Sequence, residues 1–266
     1  MRLATFLPPA SESPRAGEVR EQDGHARVFG YAQEELTVLD RLADPEAVPV
    51  EGESWALSEV TLLAPVPTPR AIFGIGLNYE DHLREMGSER PAQPLVFLKL
   101  PSSAAPPNAG VRCPPLVKRF DYEGELAVVM GPARSVAGYA VANDLTARDL
   151  QASEPQWTRA KGADGFCPYG PWITTADEVP DPHTLALRTW VNGELRQDSN
   201  TSNLIFSVPE LIEFISETCT LQAGDLILTG TPAGVGQGRQ PPTCLHTGDV
   251  IRIEIERLGA IEHAVA

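Results

Sequence analysis

The stretch Asp121-Tyr122-Glu123-Gly124-Glu125-Leu126-Ala127-Val128-Val129-Met130 reads as a β-strand, Tyr122–Met130, running into an unbroken apolar segment. A second strand, Val136–Asn143, follows almost at once, with no helix between them. Working outward, Arg70–Gly76 and Leu95–Leu100 also read as strands. Between them lies a short helix, Tyr79–Met86, which Asn78 is placed to cap, with Asp81 near its third position. Downstream, Thr184–Val191 and Glu194–Gln197 flank Asn192-Gly193, the signature of a type I′ hairpin. Ser207-Val208-Pro209-Glu210 is a capping box that opens a helix to about Thr218. Asp225–Gly230 and Val250–Glu256 are late strands, the second alternating Ile251, Ile253 and Ile255 with charged residues. Strands outnumber helices and are not separated by regular helices, which argues against a doubly wound parallel sheet.

Residues 1 to about 68 have a different texture. They are rich in acids, with strand-like pieces at Met1–Phe6 and Arg27–Tyr31 and an amphipathic piece at Glu35–Leu42. The run Ala64-Pro65-Val66-Pro67-Thr68-Pro69 lacks an N–H at alternate positions and fixes φ there, so it reads as a stiff connector. A length of 266 residues suits one large domain with a small extra lobe. Hydrophobic residues at 42% and charged residues at 21% rule out a mostly disordered chain. Lys and Arg number 21 against 36 acids, a net charge of −15, and only three of the cations are lysines. Such a chain repels phosphate backbones and anionic lipid, so nucleic acid and membrane are not expected partners. No apolar run approaches the roughly 18 residues of a membrane span. The apolar start is short and broken by Pro8 and Pro9, which predicts an ordinary cytosolic N-terminus and a cytoplasmic location. Cys113, Cys167, Cys219 and Cys244 lie far apart in no zinc pattern and are expected to be reduced.

Three clusters could carry chemistry. On a strand, Glu123 and Glu125 point to one face. Side by side they repel unless one is protonated or a cation lies between them. The pair is either a solvated acidic face or two ligands of a hard divalent ion, for which oxygen-only donors are suited. Asp144, just past the Val136–Asn143 strand, is a third carboxylate ligand or a helix cap. Lys161, one of the three lysines, is followed by Gly162, where the backbone turns or is closely approached. On a helix from Tyr79, His82 and Glu85 share a face, and a carboxylate beside an imidazole makes it a better base. Asp164 is the fallback base. The glycine-rich run Gly230–Gly238 lacks the following helix and the Lys-Ser/Thr of a phosphate-binding loop, so it reads as a backbone-driven loop at a strand end.

Taken in order, these blocks resemble the fumarylacetoacetate hydrolase superfamily. The matching pieces are Gly76-Leu77-Asn78-Tyr79 with Asp81-His82, Lys99–Ser103, Asp121–Val129, Asn143-Asp144 through Arg148–Gln151, Lys161 with Asp164–Trp172, Val191–Glu194, and Gly230–Gly236. The likeness runs from about residue 70 to the C-terminus. It implies an α+β, mainly β fold: a mixed β-roll catalytic domain over 67–266 with a small α+β N-terminal lobe over 1–66, and a homodimer. It implies that Glu123, Glu125 and Asp144 hold Mg²⁺, with Mn²⁺ or Ca²⁺ able to substitute. The substrate would be a small 2-oxo or β-diketo acid. Lys161, Arg148 and Gln151 would contact its oxygens, Thr231 would anchor its carboxylate, and His82 with Glu85 would be the acid/base pair. Glu80 departs from the family pattern and adds negative charge near that pair.

Three outcomes follow from such a site, each through a metal-bound enolate: C–C bond hydrolysis of an acylpyruvate- or fumarylacetoacetate-like acid, decarboxylation of a β-keto acid such as oxaloacetate, or isomerisation of an unsaturated 2-hydroxy or 2-oxo diacid. Because a His–Glu pair is suited to activating water, hydrolysis is the favoured expectation, with isomerisation or decarboxylation as the alternative. A catalytically inactive relative is disfavoured, since no ligand or lysine is lost.

Overall fold

Side-chain alternation along Gly124–Met130 explains the architecture. Leu126, Val128 and Met130 enter one apolar cluster, while Ala127 and Val129 enter a second on the opposite face. The strand is covered on both sides, so its apolar run is continuous rather than alternating. The computed structural model describes residues 1–266, and this strand lies near the middle of a 12-stranded, largely antiparallel sheet. From one edge the order is Glu51–Ala56, His25–Tyr31, Arg15–Gln22, Arg2–Leu7, Cys167–Thr175, Val136–Asn143, Gly124–Met130, Leu226–Leu228, Ile72–Gly76 and Leu95–Lys99. Thr61–Leu62 and Ala104–Ala105 add short side pairings. A parallel pairing joins Leu226–Leu228 to Ile72–Gly76.

A four-stranded antiparallel sheet, Glu194–Asn200, Ala186–Val191, Val250–Ile255 and Gly259–Ala264, packs over the first cluster. Its contribution is the alternating set Ile251, Ile253 and Ile255 with Leu187, Val191 and Ile261. The Val208–Ser216 helix closes the same core through Val208, Leu211 and Ile215. The fold is the mainly β, α+β arrangement read from the sequence. The Asn192-Gly193 hairpin forms with both residues at positive φ, as a type I′ turn requires. The capping box at Ser207–Glu210 forms as well.

The N-terminal segment joins this sheet. Arg2–Leu7 pairs with Cys167–Thr175, and Leu3, Ala16, Val38 and Leu42 share the second apolar cluster with Ala127, Ala140 and Leu228. The proline-rich connector is pinned by Tyr169, whose hydroxyl accepts from the Val66 amide at 2.8 Å and donates to its carbonyl at 2.6 Å. No helix is long and apolar enough to cross a membrane. All four cysteines are free thiols.

One local expectation needs correction. Asn78 does not cap the helix, which spans Glu80–Met86 and has no side-chain cap at Tyr79. The Asn78 side chain is buried. Its amide nitrogen donates to the Thr229 and Phe206 carbonyls at 2.8 and 3.1 Å, and its oxygen accepts from the Phe206 amide at 2.8 Å. Tertiary partners outcompete the local cap because three backbone groups would otherwise be buried without a bond.

Candidate active site

The Gly124–Met130 and Val136–Asn143 strands bring their ends together with Gly124 opposite Asn143. Glu123 and Glu125, flanking Gly124, therefore meet Asp144, which follows Asn143. The three carboxylates offer oxygens within 4.8 Å of one another, and all three residues are buried. Glu123 lies just outside the ladder. Its amide donates to Asn143 Oδ1 at 3.0 Å, and the Asp144 amide donates to the Glu123 carbonyl at 2.9 Å, which fixes the corner.

Three buried carboxylates repel, and the chain answers with cations. Lys161 Nζ donates to Glu123 Oε2 at 2.6 Å and to Asp144 Oδ2 at 2.7 Å. Lys99 Nζ donates to Asp144 Oδ1 at 2.6 Å and also to the Lys161 carbonyl. Arg148 reaches Asp121 Oδ2 at 2.8 Å and Glu123 Oε1 at 2.7 Å. Burial pushes the Glu123 carboxyl up, but Lys161 and Arg148 prevail and hold it at about 2. Glu125 has no such partner. It accepts the Gly230 amide at 2.7 Å, and burial with Asp144 and Glu123 close by pushes it well above the usual carboxylate range. Burial lowers Lys161, yet Asp144 and Glu123 outweigh it and raise the ammonium above its ordinary value.

This donor set suits a divalent ion. It is oxygen-only, as Mg²⁺, Mn²⁺ or Ca²⁺ require. Glu125, raised by burial and then by Asp144 and Glu123, is the group whose ionised form such an ion would favour most. The residues present fit a metal.

Beside the triad, His82 Nδ1 lies 3.0 Å from Glu85 Oε2 on the Glu80–Met86 helix. The carboxylate assigns the imidazole proton to Nδ1, leaving Nε2 as an acceptor. Asp81 anchors the helix start: one oxygen accepts the His82 amide at 2.8 Å and the other the Ser199 hydroxyl at 2.5 Å. Glu80, expected to crowd this pair with negative charge, instead meets Arg90 at 3.1 Å on the surface. Asp164 is exposed and accepts from Ser102 at 2.6 Å, so it is no reserve base.

The glycine-rich loop does more than the sequence suggested. Its amides are donors to carboxylates: Gly230 to Glu125, Gly234 to Glu85 at 2.9 Å, and Gly236 and Gln237 to Asp121 at 2.8 and 3.0 Å. The Glu85 carboxylate comes so close that a Cβ on Gly238 would lie 2.2 Å from its Cδ. A loop of glycine amides serves anions, as in a phosphate site, but here the anions are the protein's own.

His82, Glu123, Arg148, Gln151, Lys161 and Thr231 line one cavity of about 160 Å³. Glu85 and Asp144 are bonded to the lining residues His82 and Lys161, and Glu125 belongs to the carboxylate cluster at Glu123. Gln151 accepts from Arg148 at 3.0 Å, and Thr231 donates to the Gly124 carbonyl at 3.0 Å while accepting from Gln197 at 2.8 Å. Sequence reasoning assigned no role to Lys99, Asp121 or Gln197. The scarcity of lysine was a usable signal for Lys99.

Residues 71–266 match the family model described as fumarylacetoacetate (FAA) hydrolase C-terminal. The chain is 43% identical to the mitochondrial oxaloacetate tautomerase fahd2 of Xenopus laevis, over 100% of this chain and 90% of that one. A solved 2-hydroxyhepta-2,4-diene-1,7-dioate isomerase from Mycobacterium marinum superimposes with a TM-score of 0.82 at 36% identity, covering 100% of this chain and 98% of that one. The maleylpyruvate hydrolase of Sphingobium sp. SYK-6, solved with manganese(II) and pyruvate, superimposes with a TM-score of 0.81 at 31% identity, covering 100% and 99%.

Proposed function

The chain belongs to the fumarylacetoacetate hydrolase family, and on that premise we propose that it is a metal-dependent tautomerase or isomerase of small 2-oxo diacids, with keto–enol conversion of oxaloacetate as its best-supported reaction. The family is one of enzymes with tautomerase, isomerase and hydrolase members. What favours this reading over hydrolysis is the likeness to an oxaloacetate tautomerase and to a dioate isomerase, and the hydrogen-bonded His82–Glu85 pair, with His82, Glu123 and Lys161 lining a 160 Å³ cavity, supplies the base it needs.

Glu123, Glu125 and Asp144 would hold Mg²⁺, or Mn²⁺ or Ca²⁺ in its place. When bound, the ion would polarise the 2-oxo group and offset the carboxylate charge. His82 Nε2 takes a proton from the carbon beside that group, and Glu85 stabilises the imidazolium so formed. Lys161 supplies positive charge where the 2-oxygen becomes anionic. Arg148 and Gln151 contact the substrate oxygens, and Thr231 anchors a carboxylate. The proton then returns to oxygen, so bonds are relocated with no change in composition. One base suffices, and no oriented water is needed.

The C–C hydrolysis expected from the sequence becomes the second reading. The likeness to a maleylpyruvate hydrolase favours it, and the same His–Glu pair can activate water. The deciding experiment follows ketonisation of enol-oxaloacetate by ultraviolet absorbance, and acetylpyruvate cleavage by product analysis, both with Mg²⁺. Accelerated ketonisation without cleavage supports tautomerisation. Cleavage without accelerated ketonisation overturns it in favour of hydrolysis.

The proposal extends to a cytoplasmic homodimer and to a lobe boundary near residue 66. The exposed Leu98 and Leu100, two residues apart at an edge strand, supply apolar surface that supports the dimer.

A further inference from the structure

The far wall of the cavity is aromatic. Trp157 lines it, at the residue that starts the Thr158–Lys161 helix, and the Trp157 carbonyl accepts the Lys161 amide at 2.9 Å. The indole is held edge-on against Phe97, with ring centroids 5.4 Å apart, and Phe97 in turn lies 5.2 Å beneath the Lys161 ammonium. The order ammonium, phenyl, indole puts Trp157 one ring beyond the charged end of the site. The indole also rests on Gly76: a Cβ there would stand 2.9 Å from Trp157 Cζ3. Only glycine at position 76 leaves the half-buried ring this seat against Phe97. The resulting 160 Å³ is well below the roughly 300 Å³ at which sites for larger organic ligands begin.

We propose that Trp157, seated by Gly76 and Phe97, is the specificity-determining residue that limits this site to short 2-oxo acids, of about the four- to five-carbon class, by blocking extension of the chain beyond the charged end. The inference rests on the 2-oxo acid reading above and goes beyond it by naming what sets chain length. Packing an extra methylene against a rigid wall changes recognition by about 10- to 200-fold.

The test is calorimetric binding of pyruvate, 2-oxoglutarate, 2-oxoadipate and 2-oxosuberate to the Mn²⁺-loaded protein, its Trp157→Ala variant and its Trp157→Leu variant. Both variants are included because a smaller apolar side chain preserves folding better if alanine does not, and thermal melts identify which are folded. In the wild-type protein, affinity should fall steeply beyond 2-oxoglutarate. In a folded variant, the affinity for 2-oxosuberate relative to pyruvate should rise by at least about tenfold, more in alanine than in leucine. A ratio within threefold of wild type in the folded variants overturns the assignment to Trp157 while leaving the functional reading intact. Failure of the wild-type protein to bind any 2-oxo acid overturns both. Failure of both variants to fold also overturns it, because the ring would then be a core element rather than a wall of the site.

Discussion

Replacing Lys99 by Met tests whether the site is organised as charge compensation. The Lys99 side chain is fully buried, and its ammonium bonds Asp144 Oδ1 at 2.6 Å and the Lys161 carbonyl. Methionine keeps most of the volume and removes both bonds. Breaking a buried ion pair costs about 3–5 kcal/mol. Asp144 keeps Lys161 at 2.7 Å, which favours the lower end. The orphaned carbonyl adds roughly 1–3 kcal/mol. A loss of about 4 kcal/mol in the metal-free protein is the working figure, and at roughly 2–4 °C per kcal/mol for chains of this size it lowers Tm by about 8–16 °C. The informative comparison is with saturating Mg²⁺ or Mn²⁺. A bound cation brings positive charge to Asp144, so the variant's deficit should be smaller in the loaded protein. Urea unfolding of wild type and variant, each with and without the ion, reads both effects. A loss below about 1 kcal/mol, or equal deficits with and without metal, would refute the compensation argument.

Other outcomes follow from the same contacts. Chelation of divalent ions should abolish turnover, measured with the enol-oxaloacetate assay, and re-addition of Mg²⁺ should restore it. His82→Ala should lower kcat by about 10²-fold or more while Mn²⁺ affinity, titrated by calorimetry, stays within a few-fold; an unchanged kcat would move the base elsewhere. Glu125 sits well above the usual carboxylate range because of burial, Asp144 and Glu123, so binding an ion must expel its proton. At about pH 6, above the ordinary glutamate value, Mg²⁺ titration in buffers of different ionisation heat should show proton release. Apparent affinity should climb with pH until Glu125 ionises unaided, and a pH-independent affinity would contradict the assignment. Gly238→Ala places a Cβ 2.2 Å from Glu85 Cδ, so it should lower kcat by displacing Glu85 without altering Mn²⁺ affinity.

What the sequence made legible was what repeats locally. The unbroken apolar run Leu126–Met130 marks a strand covered on both faces, Asn192-Gly193 obeys a turn rule, and the isoleucines at 251, 253 and 255 express a period of two; each was legible as its strand or hairpin. The Glu123–Glu125 spacing likewise put two acids on one face. What stayed hidden was long-range. Asn78 looked like a cap because capping is local, whereas its partners lie at Phe206 and Thr229. Lys99 is 45 residues from Asp144, and no spacing rule links them. The extra strands that Arg2–Leu7 and its neighbours add to the main sheet depend on pairing with Cys167–Thr175, which a change in composition near residue 66 cannot reveal.

The glycine-rich loop shows how one physical demand accounts for both the legible and the hidden parts. Asp121, Glu125 and Glu85 all need donors in a place where water is largely excluded. Lysine or arginine donors would add charge, and the site already holds Lys99, Lys161 and Arg148. Backbone amides give hydrogen bonds without adding charge. At Gly236 and Gly238 a Cβ would stand 2.5 Å from Asp121 Oδ1 and 2.2 Å from Glu85 Cδ, so these positions of the loop take glycine. Glu125 then receives a bond from Gly230 without gaining a counter-charge, and burial with Asp144 and Glu123 close by raises it well above the usual carboxylate range. That leaves one place in the triad where a divalent ion supplies something the protein has withheld. The same loop fixes Glu85, and through it His82, so the acidic triad and the His82–Glu85 pair are positioned by one run of residues, Gly230–Gly238.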